Sequence, residues 1–158
     1  ICTMKIICIL LFNILAGVWG LDELIIPINL KDKHWVCAII DLKGHTLGYF
    51  DSVGDRRAES WFKKAKKWLR DEKKLVDPEF DFDSIKWDKH TVCPTQDIKD
   101  AVHCGIFTIV AMRYLTEDKP FLEELTPDQI HNERIKLFND LTDKKNHCGL
   151  SLKEDEVC

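Results

Sequence analysis

The run 104–115 (CGIFTIVAMRYL) constrains the fold of this chain more than any other segment, because it is apolar on most faces of a helix. A surface helix buries one apolar stripe, whereas a helix that is apolar on most sides needs protein around it. The run therefore predicts a central helix buried in the core. A chain of 158 residues with 45% hydrophobic content suits a single globular domain around such a helix.

Three short segments before this helix predict an antiparallel meander of strands. They are residues 24–30, 35–41 and 46–52. Each is short and largely apolar, and polar turns separate them. Pro27 suggests that the first is an edge strand, since proline cannot donate to a sheet ladder. A helix is expected over residues 58–71, with Trp61 and Leu69 on its inner face.

The meander brings one histidine and one aspartate to the same rim of the predicted sheet. His34 opens the second strand and Asp51 closes the third. Adjacent antiparallel strands place the start of one beside the end of the next, so the carboxylate can fix the imidazole tautomer. Taken alone, the two residues are more simply explained as a strand-edge histidine and a turn aspartate.

Cys104 is the first residue of the predicted central helix. A thiol at a helix N-terminus lies beside free N–H groups at the positive end of the dipole, which favours the thiolate. Gly105 permits close approach of a substrate backbone. Together with a base and a group that orients it, such a thiol can serve as a protease nucleophile. The simpler alternative is that Cys104 is one more buried apolar cysteine.

The other cysteines and the overall charge narrow the class of protein. An odd count of seven cysteines at irregular spacing does not form a disulfide framework. His90, Cys93 and His103 have zinc-like ligand types without the usual paired spacing, so no metal and no cofactor are predicted. A net charge of −4 argues against nucleic acid as the main partner. These features predict a reduced, intracellular thiol enzyme.

Five short motifs resemble the catalytic domain of the ubiquitin-like-modifier (SUMO) proteases, in the same order along the chain. They are Ile26-Pro27-Ile28, His34-Trp35, Tyr49-Phe50-Asp51-Ser52, Pro94-Thr95-Gln96 and Cys104-Gly105-Ile106-Phe107. The resemblance extends from about residue 22 to residue 141. It implies an α+β, papain-like cysteine protease fold, in which a small mixed sheet packs on the buried central helix.

The resemblance also assigns roles to individual residues. It makes His34 the general base, Asp51 its orienting partner and Cys104 the nucleophile. Gln96 would supply a side-chain N–H to the oxyanion hole, with the Cys104 backbone N–H as the other donor. Trp35 would cover the narrow channel that admits the Gly-Gly tail of the modifier.

The implied function is thiol-dependent cleavage after the C-terminal Gly-Gly of a ubiquitin-like modifier, for maturation or for release from lysine. The modifier and its conjugates would be the partners. Two alternatives remain: a catalytically weak modifier-binding module of the same fold, and a secreted cysteine-containing domain without protease activity. The loop 97–103 motivates the first, because it is longer than the family's, lacks its Asn-Gly and has His103 in place of an aspartate.

The two ends of the sequence predict segments outside a protease domain of residues 21–141. Residues 1–20 form a hydrophobic leader that resembles either a secretory signal or a remnant of an N-terminal helix. It is too short and interrupted for a membrane span. Residues 142–158 form a polar tail. The family normally has more domain before the first strand, so truncation is expected; localisation is expected to be nuclear or cytoplasmic, with secretion as the alternative.

Overall fold

The computed structural model describes residues 17–31, 33–54, 56–96, 102–117, 119–121 and 124–142. The predicted leader up to residue 16 and the predicted tail from residue 143 therefore lie outside the described residues. The strands are β1 (Glu23–Leu30), β2 (His34–Asp41), β3 (Thr46–Phe50) and β4 (Asp88–His90). The helices are α1 (Ala58–Val76), α2 (Cys104–Thr116) and α3 (Pro127–Thr142), and short 3-10 turns cover Gly17–Gly20 and Phe82–Ser84.

The four strands form one mixed sheet in the order β1-β2-β3-β4. The first three are antiparallel neighbours, as the meander predicts, and β4 pairs with β3 in parallel. The register pairs Leu30 with His34 across the first turn and Cys37 of β2 with Phe50 at the end of β3. The start of β2 and the end of β3 therefore lie on the same rim of the sheet.

The strand β2 is the centre of the core because both of its faces are covered. Val36, Ala38 and Ile40 lie in the cluster that includes Trp61, Phe62, Ala65 and Leu69 of α1. Cys37 and Ile39 lie in a second cluster with Phe50 of β3 and Ala111 of α2. Alternate strand residues point to opposite faces, so α1 and α2 pack on opposite sides of the sheet. This arrangement confirms the α+β class.

The helix α2 begins at Cys104, where the sequence predicts it. Cys104, Phe107, Thr108, Val110 and Ala111 are buried, and the residues between them are partly buried. A helix with so little exposed surface holds its first residue in place. That position matters because the first turn of α2 reaches the rim where β2 starts.

The helix α3 is the described part of a second compact unit, residues 126–158. Its start is closed by a reciprocal pair of hydrogen bonds: Thr126 N–H donates to Gln129 Oε1 at 2.8 Å, and Gln129 N–H donates to Thr126 Oγ1 at 3.3 Å. This capping box satisfies two backbone donors, and Pro127 follows it in the first helical position.

The substitution Gly48→Ala should destabilise the fold by about 1–3 kcal/mol, because added volume in a well-packed core displaces side chains and backbone. A Cβ at Gly48 would lie 2.5 Å from Ile39 Cγ2 and 2.7 Å from Phe50 Cζ. Urea denaturation measures the change. Gly105→Ala is the matched control, because its added methyl group would meet only Trp35 Cδ1 at 4.0 Å. Equal stability of the two variants would contradict this account of β3 packing.

Candidate active site

His34 and Asp51 are hydrogen-bonded at the rim of the sheet. His34 is the first residue of β2, and Asp51 directly follows β3. The Nε2–H of His34 donates to Asp51 Oδ1 at 2.7 Å. Because Nε2 is engaged by the carboxylate, Nδ1 is the ring nitrogen that can accept a proton from a thiol.

The carboxylate of Asp51 is itself held in place. Asp51 is only 6% exposed, and its Oδ1 also accepts a hydrogen bond from the Val53 N–H at 3.0 Å. A buried carboxylate with two donors has little freedom to turn. It can therefore orient the imidazole of His34 and stabilise the imidazolium form of that ring.

The thiol of Cys104 lies against the start of β2. Its Sγ accepts a hydrogen bond from the Trp35 backbone N–H at 3.5 Å, and the residue is 7% exposed. Trp35 directly follows His34, so the thiol contacts the backbone of the residue next to the one that carries the imidazole. The N-terminal end of α2 and the Trp35 N–H both favour the negative charge of a thiolate.

Trp35 covers the first turn of α2. The position that a Cβ of Gly105 would occupy lies 4.0 Å from Trp35 Cδ1. The indole is nevertheless 39% exposed, which is high for so large an apolar side chain. An exposed aromatic ring beside a buried thiol can cover an extended peptide.

Gln96 lies on the segment that pairs with the residue after Asp51. Its backbone N–H donates to the Ser52 carbonyl oxygen at 2.9 Å. Its side-chain Nε2 and Oε1 are buried and have no hydrogen-bond partner within the described part of the chain. A shielded N–H without a partner is the property required of an oxyanion-hole donor. Residues 97–101 of the altered loop lie outside the described residues, and His103 is the N-cap of α2 without a side-chain capping bond.

The other two described cysteines are free thiols in an environment that disfavours ionisation. Burial, with the neighbouring Cys93, raises the pKa of Cys37 to about 12. Burial and then the negative charge of Asp51 raise the pKa of Cys93 to about 12, against an opposing hydrogen bond from the Asp51 backbone. Neither residue therefore has the environment of a nucleophile at neutral pH.

The backbone contacts that join the segment 93–96 to the residues after β3 leave no signal in the sequence. Nothing in the local pattern points to the Gln96–Ser52 hydrogen bond, because it joins loop residues far apart in sequence. Across the described ranges, no three His, Cys, Asp or Glu side chains are grouped to hold a metal ion. No helix in those ranges is both long and apolar enough to cross a membrane.

Comparison with known proteins confirms the resemblance to the modifier proteases. The sequence profile of the Ulp1 protease family, C-terminal catalytic domain, matches residues 16–150. Ubiquitin-like-specific protease 1 of Saccharomyces cerevisiae is 36% identical over 103 residues, and human Sentrin-specific protease 2 is 30% identical over 102 residues. Each alignment covers 63% of this chain but only 16% and 17% of the respective relative.

A solved structure shares the fold. The C-terminal Ulp1 protease domain in complex with Smt3, the yeast ortholog of SUMO, superposes with a TM-score of 0.59 at 31% identity. The match covers 78% of this chain and 53% of that domain. The sheet and the helix that carry the candidate site thus belong to a papain-like protease fold.

Iodoacetamide should alkylate Cys104 at least about 10²-fold faster than Cys37 or Cys93 at neutral pH. The thiolate is the reactive form, and Cys37 and Cys93 are almost entirely protonated at this pH. A thiol with a pKa near 12 is ionised in about 1 of 10⁵ molecules at pH 7. Peptide mass mapping over time measures the three rates. In urea the rates should converge, which controls for intrinsic reactivity. Rapid native labelling of Cys93 would contradict the assignment of Cys104.

Proposed function

Because this chain belongs to the Ulp1 protease family and matches its C-terminal catalytic domain, we propose that it is a thiol protease acting on a ubiquitin-like modifier. It cleaves after the C-terminal Gly-Gly, either to mature the modifier or to release it from lysine. The proposal rests on one arrangement of the His34, Asp51 and Cys104 side chains. His34 bonds Asp51 at 2.7 Å, and Cys104 Sγ lies 3.5 Å from the backbone N–H of the residue after His34.

The first half of the reaction forms a thioester. His34 Nδ1 takes the proton of Cys104 Sγ, and the thiolate attacks the carbonyl carbon of the terminal glycine. The carbonyl oxygen becomes an oxyanion, which Gln96 Nε2–H and the Cys104 backbone N–H stabilise. As the C–N bond breaks, the His34 imidazolium gives its proton to the leaving amine, which is a lysine Nζ or a peptide nitrogen.

The second half of the reaction releases the modifier. His34 takes a proton from water, and the resulting hydroxide equivalent attacks the thioester carbonyl. The same two donors stabilise the second oxyanion. Collapse breaks the C–S bond and returns the proton from His34 to the sulfur, which regenerates the enzyme. Asp51 keeps the imidazole in one tautomer through both halves.

The proposed substrate class follows from the cover over the nucleophile and from the relatives. The exposed indole of Trp35 lies beside Gly105 and can cover a chain that enters beside Cys104, and such a cover favours glycine, which has no side chain to clash. The similar yeast domain binds Smt3, the yeast ortholog of SUMO. A modifier of the SUMO class is therefore the partner that we propose.

The domain limits and the location in the cell belong to the same proposal. The protease domain comprises residues 21–141, between a leader of residues 1–20 and a polar tail of residues 142–158. Nuclear or cytoplasmic location suits an enzyme whose nucleophile must stay a free thiol, because those compartments are reducing. Intact mass with and without reductant tests this point, since several disulfides would indicate secretion instead.

A modifier with a C-terminal electrophile should label the chain through Cys104, and Cys104→Ser should abolish labelling. His34→Ala should slow labelling by about 10²- to 10⁴-fold, because the general base is lost. His90→Ala is the matched control, since His90 is exposed on β4 and pairs with Gly48 in the middle of β3. Gel shift over time gives the rates. Binding of the modifier without labelling of the wild type would instead identify a binding module.

Gln96→Ala should lower kcat by about 10²- to 10³-fold and leave modifier affinity nearly unchanged, because one oxyanion donor is lost. Gln96→Glu should be at least as harmful, since a carboxylate repels the oxyanion. Steady-state hydrolysis gives kcat, and titration of the modifier into a Cys104→Ser background gives the affinity. An unchanged kcat in Gln96→Ala would show that other groups hold the oxyanion.

A further inference from the structure

Two buried polar side chains without partners lie at one junction behind the candidate site. Ser52 is 4% exposed, and its Oγ has no hydrogen-bond partner within the described part of the chain. Gln96 Nε2 and Oε1 share this property. Buried polar groups in native proteins are nearly always paired, because each unpaired group retains the full cost of leaving water. Three such atoms at one junction therefore call for an explanation.

The backbone brings the two residues into contact. The Gln96 N–H donates to the Ser52 carbonyl oxygen at 2.9 Å. The residues on either side of Ser52 are also anchored, since the Val53 N–H donates to Asp51 Oδ1 at 3.0 Å. The main chain of Ser52 is thus fixed beside that of Gln96, and the position of the Ser52 hydroxyl depends only on side-chain torsions.

The chemistry of the three atoms allows one productive pairing. A serine hydroxyl can donate, a glutamine Oε1 can only accept, and a glutamine Nε2 can only donate. A hydrogen bond from Ser52 Oγ–H to Gln96 Oε1 satisfies two of the atoms and leaves Nε2–H free. The opposite pairing, from Nε2–H to Ser52 Oγ, would consume the donor that the oxyanion needs.

We propose that Ser52 is a positioning residue for the oxyanion hole: its hydroxyl holds Gln96 Oε1 and thereby aims Gln96 Nε2 at the reacting carbonyl. This inference rests on the proposed role of Gln96 as an oxyanion donor. In the part of the chain that the structure describes, the Ser52 hydroxyl makes no hydrogen bond to the thiol or the imidazole. It acts on the reaction only through the orientation of the Gln96 amide, as supporting residues do for groups that contact the substrate.

Kinetics on the full chain test the proposal. Ser52→Ala should lower kcat of modifier hydrolysis by about 10-fold with KM unchanged, since one neutral hydrogen bond is lost. In a Gln96→Ala background the same change should cost nothing further, because the group that it positions is gone. Ser52→Thr keeps a hydroxyl and should restore most of kcat. Thr46→Val is the matched control: it removes a hydroxyl at the opposite end of β3, and any effect it has on kcat should add to that of Gln96→Ala.

The rate of alkylation distinguishes an effect of Ser52→Ala on the oxyanion hole from an effect on His34, Asp51 or Cys104. Displacement of iodide from iodoacetamide by Cys104 Sγ creates no oxyanion, so Ser52→Ala should alkylate at the wild-type rate. A loss equal to the loss in kcat would show that Ser52 acts through its neighbour Asp51 and would overturn the proposal. Additive effects of Ser52→Ala and Gln96→Ala would overturn it as well.

NMR spectroscopy tests the contact between Ser52 and Gln96 without requiring catalysis, so its outcome is distinct from that of the proposed function. The NMR signals of the Gln96 side-chain NH₂ group are assigned by their disappearance in Gln96→Ala. In Ser52→Ala their chemical shifts should move towards those of free glutamine. Signals that do not move would overturn the pairing. If Ser52→Ala shows this shift but the wild-type chain cleaves no modifier, the contact between Ser52 and Gln96 is supported and the protease function is refuted.

Discussion

The packing of α2 against β2 is the constraint on which the candidate site depends. The strand is covered on both faces, and its α2 side carries Cys37 and Ile39 in one cluster with Ala111. With the helix locked onto the strand, its first residue meets the first residues of the strand, and Cys104 Sγ reaches the Trp35 N–H at 3.5 Å. Close packing leaves few alternative positions for either element, so packing in the core sets the position of the thiol beside the start of β2.

The same core gives the three described cysteines different surroundings. Cys37 and Cys93 lie where burial raises the pKa of each to about 12. Cys104 is also buried, but it lies at a helix N-terminus and accepts a backbone N–H. Both features stabilise negative charge on sulfur. Chemically identical side chains thus lie in different electrostatic surroundings.

One short stretch after β3 contacts both His34 and Gln96. Asp51 accepts a hydrogen bond from His34, and the carbonyl oxygen of the next residue, Ser52, accepts one from the Gln96 N–H. A displacement of this stretch would therefore disturb both the imidazole and the candidate oxyanion donor. This link also bears on the altered loop before Cys104: Gln96 is anchored at Ser52, independently of the number of residues between Gln96 and Cys104.

The sequence by itself determined the local elements and much of the site. Periodicity and β-branched runs predict the first three strands and the start of α2 at Cys104, and antiparallel adjacency predicts that His34 and Asp51 meet. Only the tertiary structure decided the parallel pairing of β4, the opposite placement of α1 and α2, and the Gln96–Ser52 hydrogen bond. Those contacts join residues far apart in the chain, and they depend on loop paths and on which faces exclude water, which local patterns do not encode.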